Sequence, residues 1–461
     1  MHLFERPVRF RMPFRFGVVT LDRGLQAFVR VRVALDGRDA WGVAAEMLAP
    51  KWFDKNLALT NEDNEEQLRV SLRVARALYL AEPAPSPFGF YAATYRPQLE
   101  ACGSRTLNPL VAAFGPAVID RAVLDAVSRC LGMTFQEAIT ANVPGIAATD
   151  LAPDLADFDV GAWLATLDAA DTIHARHTVG LVDPITDDDL ARTARVDDGL
   201  PETLADVVET YGHAYYKLKV GGDARQDVGR LTAIARVLDR RAEPYHVTLD
   251  GNEQYEDVEA VIELWRAIES EPALRRLAGS TLFIEQPVTR TRALDADVSR
   301  LAACRPVIVD ESDAELDSFV RARDRGYTGV SSKTCKGLYK SLLNRARCVN
   351  WNRDAGAPRY FMSAEDLTTQ AGPGVQQDLA LASVLGLEHV EKNGHHYVNG
   401  FAAATQDEQQ AFLRAHPDLY HDDGGVVRLR IRAGRLAIGS LRCVGFAVGA
   451  TPDFDRMRRI E

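Results

Sequence analysis

At 461 residues the chain exceeds a single typical domain, so one large domain plus a smaller one is expected. Apolar residues make up 46% and charged residues 26%, ordinary proportions that exclude a disordered chain or a fibre. The net charge of −11 disfavours nucleic acid as a partner, and no apolar stretch approaches the roughly 20 residues needed to span a bilayer.

The opening MHLFERPVRFRMPF has no continuous apolar core or small-residue cleavage site, so it does not read as a signal peptide, and a cytoplasmic location is expected. The six cysteines are scattered without a CxxC pair, which argues against zinc fingers and a disulfide framework. Cys335 lies close to Lys333 but reads as a buried bystander.

Ala27 to Leu35 alternates between apolar and polar, a half-buried strand, with Asp36-Gly37 as its turn and a second short strand around Trp41 to Ala45. Glu65 to Ala81 reads as a helix with Leu68, Leu72, Ala75 and Tyr79 on one face. The prolines between Glu82 and Phe88 demand a loop. A further helix is predicted from about Pro116, placed in the first turn, to Leu131, with Gly132 as C-cap.

From about His174 onward, apolar strands alternate with amphipathic helices. Strand ends fall near residues 219, 250, 285, 310, 333 and 364, the signature of parallel βα units. Three of the runs, HVTLD, TLFIE and PVIVD, end in Asp250, Glu285 and Asp310. Lys217 and Lys219 end the run before them and Lys333 the run after. Charged groups rarely sit at the ends of buried strands unless they are paired or hold a metal. A barrel collects such groups at one mouth. A doubly wound sheet would need a crevice with a Gly-rich first turn, and no GxGxxG or GxxxxGK[ST] occurs. The predicted class is therefore α/β, a (β/α)8 barrel preceded by a separate α+β unit.

Alternation along a strand turns Lys217 and Lys219 to one face and aligns Asp250 with Asn252. Three carboxylates form an all-oxygen set suited to Mg²⁺ or Mn²⁺ rather than zinc. Such an ion can bind a substrate carboxylate and act as a Lewis acid. Lysine normally titrates near 10.4, but burial or a nearby cation can bring it to about 7–8, where it serves as a base. Lys219 and Lys333, far apart around the ring, would approach one carbon from opposite faces. A single strand-end acid is often a cap or an ion-pair partner, but three in succession make that reading weaker. His174, His177, His395 and His396 lack a helical HExxH setting and read as structural or surface residues. Glu365 ends another apolar run and is a candidate substrate contact, with a supporting or capping role as its equal.

The segments YYKLKVGGD, VTLDGNEQY, LFIEQPV, VIVDES and VSSKTCKG, in that order, with the helix AVIDRAVLDAVSRCLG, resemble the enolase superfamily, in its mandelate racemase/muconate lactonizing enzyme branch. The resemblance implies a capping domain over residues 1–140, a modified barrel over 141–419, and a segment, 420–461, that returns to the cap. It implies Mg²⁺ held by Asp250, Glu285 and Asp310, with Lys219 as base. It implies Lys333 as the second acid/base, which marks the muconate lactonizing type, and Lys217 tuning Lys219. Asn252 would support the metal ligands and Glu311 would orient Lys333. Met12 to Gly24 resembles the flexible cap loop, with Arg15, Phe14 and Phe16 as candidate specificity residues.

Departures from the family pattern are the extra length over 147–212, around a first barrel strand expected at HTVGLVDPI, and the single Gly337 after Lys333. EHVEKNGHHYV also lacks the paired aspartates typical of dipeptide epimerases. The expected activity is Mg²⁺-dependent abstraction of the proton alpha to the carboxylate of a small-molecule substrate, giving a metal-stabilised enediolate. A racemase, epimerase or cycloisomerase would result, with a lyase acting on an acid sugar or hydroxy acid as the alternative. A non-catalytic carboxylate-binding barrel and a phosphate-binding barrel enzyme, the latter resting on Gly372-Pro373-Gly374, are weaker readings. A homo-oligomer is the expected assembly.

Overall fold

The structure, a computed structural model, describes residues 1–17, 19–148, 150–190 and 195–461. Strands β1 (His2–Phe16), β2 (Val19–Leu35) and β3 (Arg38–Met47) form an antiparallel sheet. Asp36 and Gly37, at φ 51° and 76°, make the tight turn expected between β2 and β3. The stretch expected to be a flexible loop, Met12 to Gly24, is instead the far end of the β1–β2 hairpin, with Phe14 opposite Leu21 and Phe16 opposite Val19. Its MPFRF alternation has the period of a strand, burying Met12, Phe14 and Phe16 and exposing Pro13 and Arg15. Val18, inside that stretch, lies outside the described residues.

Of the helices α1 (Asn61–Ala81), α2 (Pro87–Gly103) and α3 (Pro109–Leu131), the third packs on this sheet and the first two pack on the third. Thr60 and Asp63 close a capping box at the start of α1. The third helix begins at Pro109 rather than Pro116, which lies inside it. A proline there deprives the Ala112 carbonyl of its helical donor. Ser71 Oγ and Gln98 Nε2 each donate to that carbonyl at 3.0 Å, so the helix continues. Gly42 lets β3 lie directly on α3, since a Cβ there would come within 2.0 Å of the Ala122 carbonyl.

Eight parallel strands close the barrel: β4 (Thr172–Val179), β5 (Tyr215–Lys219), β6 (His246–Asp250), β7 (Thr281–Glu285), β8 (Val307–Val309), β9 (Gly329–Ser332), β10 (Phe361–Ala364) and β11 (His389–Lys392), with β11 pairing back to β4. The first barrel strand lies earlier than HTVGLVDPI. It ends at Val179 because the next residues turn, the Gly180 amide donating to Asp183 Oδ2 at 2.7 Å. Of the extra length over 147–212, Thr149 and residues 191–194 lie outside the described residues. Near the end of the chain, Arg435–Ala437 pairs with β4, and Arg458–Arg459 pairs antiparallel with β1.

Candidate active site at the barrel mouth

The inward-facing residues of the barrel converge on Lys217. Its ammonium lies 2.9 Å from Asp250 Oδ2, 2.8 Å from Glu285 Oε2, 2.7 Å from Glu365 Oε2 and 2.9 Å from Glu391 Oε2. Burial would lower its pKa, but these four carboxylates outweigh burial and hold it well above the ordinary lysine range. Lys219, two residues on and on the same face, reaches the same Asp250 oxygen at 2.6 Å. Across the barrel Lys333 pairs with Asp310 Oδ2 at 2.6 Å and lies over the Trp52 ring, 4.3 Å from its centroid. Ser331 donates to the other Asp310 oxygen, which also has Lys336 at 3.4 Å.

Lys217, Lys219 and Lys333 line one small pocket of about 30 Å³. Phe14, Phe16 and Leu21 from the hairpin, with Met47 and Trp52, supply its apolar cover. The site thus places opposed amines beneath an apolar cover, with carboxylates below them.

The three acids expected to share a cation point toward this mouth, but ammonium groups engage them, Lys217 bridging Asp250 and Glu285 while Lys333 holds Asp310. Among the described residues, ligand oxygens of these three acids do not all lie within 4.8 Å of one another. Their surroundings nonetheless suit a hard cation. Asn252 Oδ1 and Glu311 Oε2 are buried oxygens without a hydrogen-bond donor among the described residues. Burial, then the Asp250 and Glu365 charges, push the Glu285 carboxyl well above its ordinary range. Excess buried oxygen acceptors of this kind are relieved by a metal.

Three sequence expectations need correction. Arg15 is exposed, because strand alternation turns it away from Phe14 and Phe16, so it does not line the pocket. Glu311 does not orient Lys333; it accepts from Asn252 Nδ2 at 3.2 Å and faces Lys55 at 3.9 Å, while Asp310 takes Lys333. Glu365 is fully buried and is not a wall of the pocket; it holds Arg176, Ser363 and Lys217 inside the barrel. Cys335 is buried, and burial pushes its thiol up. At the phosphate-site candidate, the Gly372 amide donates to the Tyr420 hydroxyl at 3.0 Å.

Trp52, Glu391 and Lys336 were not singled out from sequence. Glu391 had a visible signal, an acid alternating with apolar residues in EHVEK. Trp52 and Lys336 had none, because they reach the site from a loop and a short 3-10 turn.

Residues 199–340 match a family model described as Enolase C-terminal domain-like. Solved structures match over nearly the whole length. One is a muconate lactonizing enzyme from Mucobacterium Smegmatis complexed with muconolactone, 19% identical, TM-score 0.58, covering 99% of this chain and 98% of that one. The fold is that of the enolase superfamily. A 2-chloromuconate cycloisomerase from Rhodococcus opacus 1CP has 15% identity and TM-score 0.61, covering 98% of this chain and 96% of that one. A dipeptide epimerase from Enterococcus faecalis V583, complexed with Mg and L-Leu-L-Tyr, has 13% identity and TM-score 0.61, covering 97% and 98%. Comparison with curated proteins finds no match. Among the described residues no helix is long and apolar enough to cross a membrane.

Proposed function

We propose that this enolase-superfamily barrel is an isomerase that removes the proton alpha to a substrate carboxylate. The carrying observation is that Lys219 and Lys333 line one pocket from β5 and from the end of β9, on opposite sides of the ring. Lys219, as a neutral amine, takes the proton, and the C–H electron pair moves toward the carboxylate. Lys333 faces the reacting carbon from the other side and delivers a proton or balances the developing charge. The apolar cover of Phe14, Phe16 and Trp52 excludes water and strengthens both interactions.

Asp250, Glu285 and Asp310 would hold Mg²⁺, with Asn252 supporting them. When bound, the ion would supply Lewis-acid stabilisation of the charge gathering on the substrate carboxylate. Occupation of Asp250 by a cation also removes the anion that engages Lys219.

A lyase on the same site is the second reading. It is favoured by the setting of Lys333, whose pairing with Asp310 and place over the Trp52 face both suit the ammonium form. A lysine held as an acid matches protonation of a leaving hydroxyl better than symmetric proton exchange.

The test is deuterium incorporation at the alpha carbon in heavy water with Mg²⁺, across acid sugars, hydroxy acids and cyclic lactones. Lys219→Ala should abolish exchange, and Lys333→Ala should retain it while losing net turnover. Exchange that survives Lys219→Ala would overturn the assignment of the base.

A further inference from the structure

Three histidines distant in sequence meet on the outer side of the barrel wall. Arg176 and Thr178 point inward, to Glu365 and Glu391, so His177 between them points outward from β4. His213 follows Gly212, the left-handed cap of the helix Leu204–Tyr211, and His395 lies in the short helix Gly394–Tyr397. His177 and His213 are buried, and the His395 ring is enclosed although the residue as a whole is partly exposed. One ring nitrogen from each lies within 4.8 Å of the other two, and His177 Nδ1 is 3.3 Å from His395 Nε2.

Their hydrogen bonding leaves one lone pair with nothing to meet it. His213 Nδ1 donates to the Ala175 carbonyl at 2.9 Å, so its Nε2 is a bare acceptor, buried without a partner among the described residues. His177 Nδ1 and His395 Nε2 face each other, and His395 Nδ1, on the far side of its ring, has no partner among the described residues. A ring that donates one N–H to a backbone carbonyl and aims its other nitrogen at a shared point is arranged as a metal-binding histidine is. Metal–nitrogen bonds of about 2.0–2.1 Å at a tetrahedral angle separate ligand nitrogens by roughly 3.3–3.4 Å, close to the observed spacing of His177 and His395. Burial keeps the His177, His213 and His395 rings neutral, the form that ligates.

We propose that His177, His213 and His395 bind a divalent cation of the zinc class, separate from the carboxylates at the mouth. Three imidazoles without a carboxylate select zinc, cobalt or nickel over magnesium. His395 and Tyr211 line a cavity of about 140 Å³ that leaves room for water in a fourth position. The ion would pin the turn that carries Tyr397, whose ring packs 4.2 Å from Phe14 and whose hydroxyl donates to Asp183. Through Phe14 it would steady the cover of the lysine pocket.

The experiment uses the full chain, stripped with a chelator, returned to excess Mg²⁺ and titrated with Co²⁺. The expected result is the intense visible spectrum of low-coordinate cobalt saturating at one equivalent per chain and displaced by Zn²⁺. It should be lost in His213→Gln and His395→Gln, each checked for native circular dichroism, and kept in Asp250→Asn and His174→Gln. His395→Gln, at the cavity wall, serves if His213→Gln does not fold. A spectrum absent from the wild type, or one that survives both histidine variants or vanishes in Asp250→Asn, overturns the proposal.

Discussion

Inside the barrel, charge is balanced residue by residue. Arg176, fully buried, donates to Glu365 and Ser363, and Glu365 in turn accepts from Lys217. Removing one member of such a network leaves a desolvated charge behind, which costs about 3–5 kcal/mol. Glu365→Gln keeps the shape and removes the charge. Its urea unfolding midpoint should fall by an amount equivalent to about 3 kcal/mol with the slope unchanged. A loss below about 1 kcal/mol would mean that Asp250, Glu285 and Glu391 suffice for Lys217 and that Arg176 accepts a neutral partner. The sequence marked Glu365 as a charge after an apolar run but could not show that barrel closure brings Arg176, two strands away on β4, against it. Asp250, Glu285, Asp310, Lys219 and Lys333 were readable because each stands at a strand end, where alternation dictates direction. Glu311 and Arg15 were misread one position away from correctly placed neighbours, since the same alternation turns them elsewhere.

At the level of elements, period and punctuation located β5 to β10 closely, but not helix starts where tertiary bonds override a local rule, as Ser71 and Gln98 do at Pro116. The histidine cluster was invisible because His177, His213 and His395 come from three elements with no common spacing. Another histidine joins the end of the chain to the barrel. His416 follows the helix Gln406–Ala415; its Nε2 accepts from the Gly449 amide at 3.0 Å and its Nδ1 lies 3.1 Å from Ser440 Oγ. That pattern requires the neutral ring, and burial lowers its pKa from 6.5 to about 4. Below about pH 6.5 the unfolded chain binds a proton that the folded chain refuses, so this stability is full above that value and is lost as pH falls toward about 4. The shift corresponds to roughly 3 kcal/mol. In melts from pH 7 to 4, His416→Asn should flatten the acid-side decline relative to the wild type. An unchanged slope would assign the proton uptake to the other buried histidines.

Across the whole molecule, the cap supplies the apolar cover and the barrel the charged floor, so the two sides of the pocket come from different sheets. Binding of a cation to the floor should therefore stabilise the barrel without any contribution from the hairpin. A ligand bound only by the folded state adds about 2.7 kcal/mol at a hundredfold excess over its Kd and about 1.4 kcal/mol for each further tenfold. Thermal melts of the metal-stripped chain should shift upward with the logarithm of Mg²⁺ concentration. Asp250→Asn should abolish the shift, because Asp250 is an expected ligand that also meets both Lys217 and Lys219. Phe14→Ala should start from a lower melting temperature, having lost a buried aromatic against Tyr397, yet keep the same Mg²⁺ increment. His395→Gln should keep it too, since its ring faces the outer side of the wall. A Mg²⁺ increment that disappears in His395→Gln but persists in Asp250→Asn would move the magnesium site from the mouth to the histidines, and with it the case for Lys219 and Lys333 as the reacting pair.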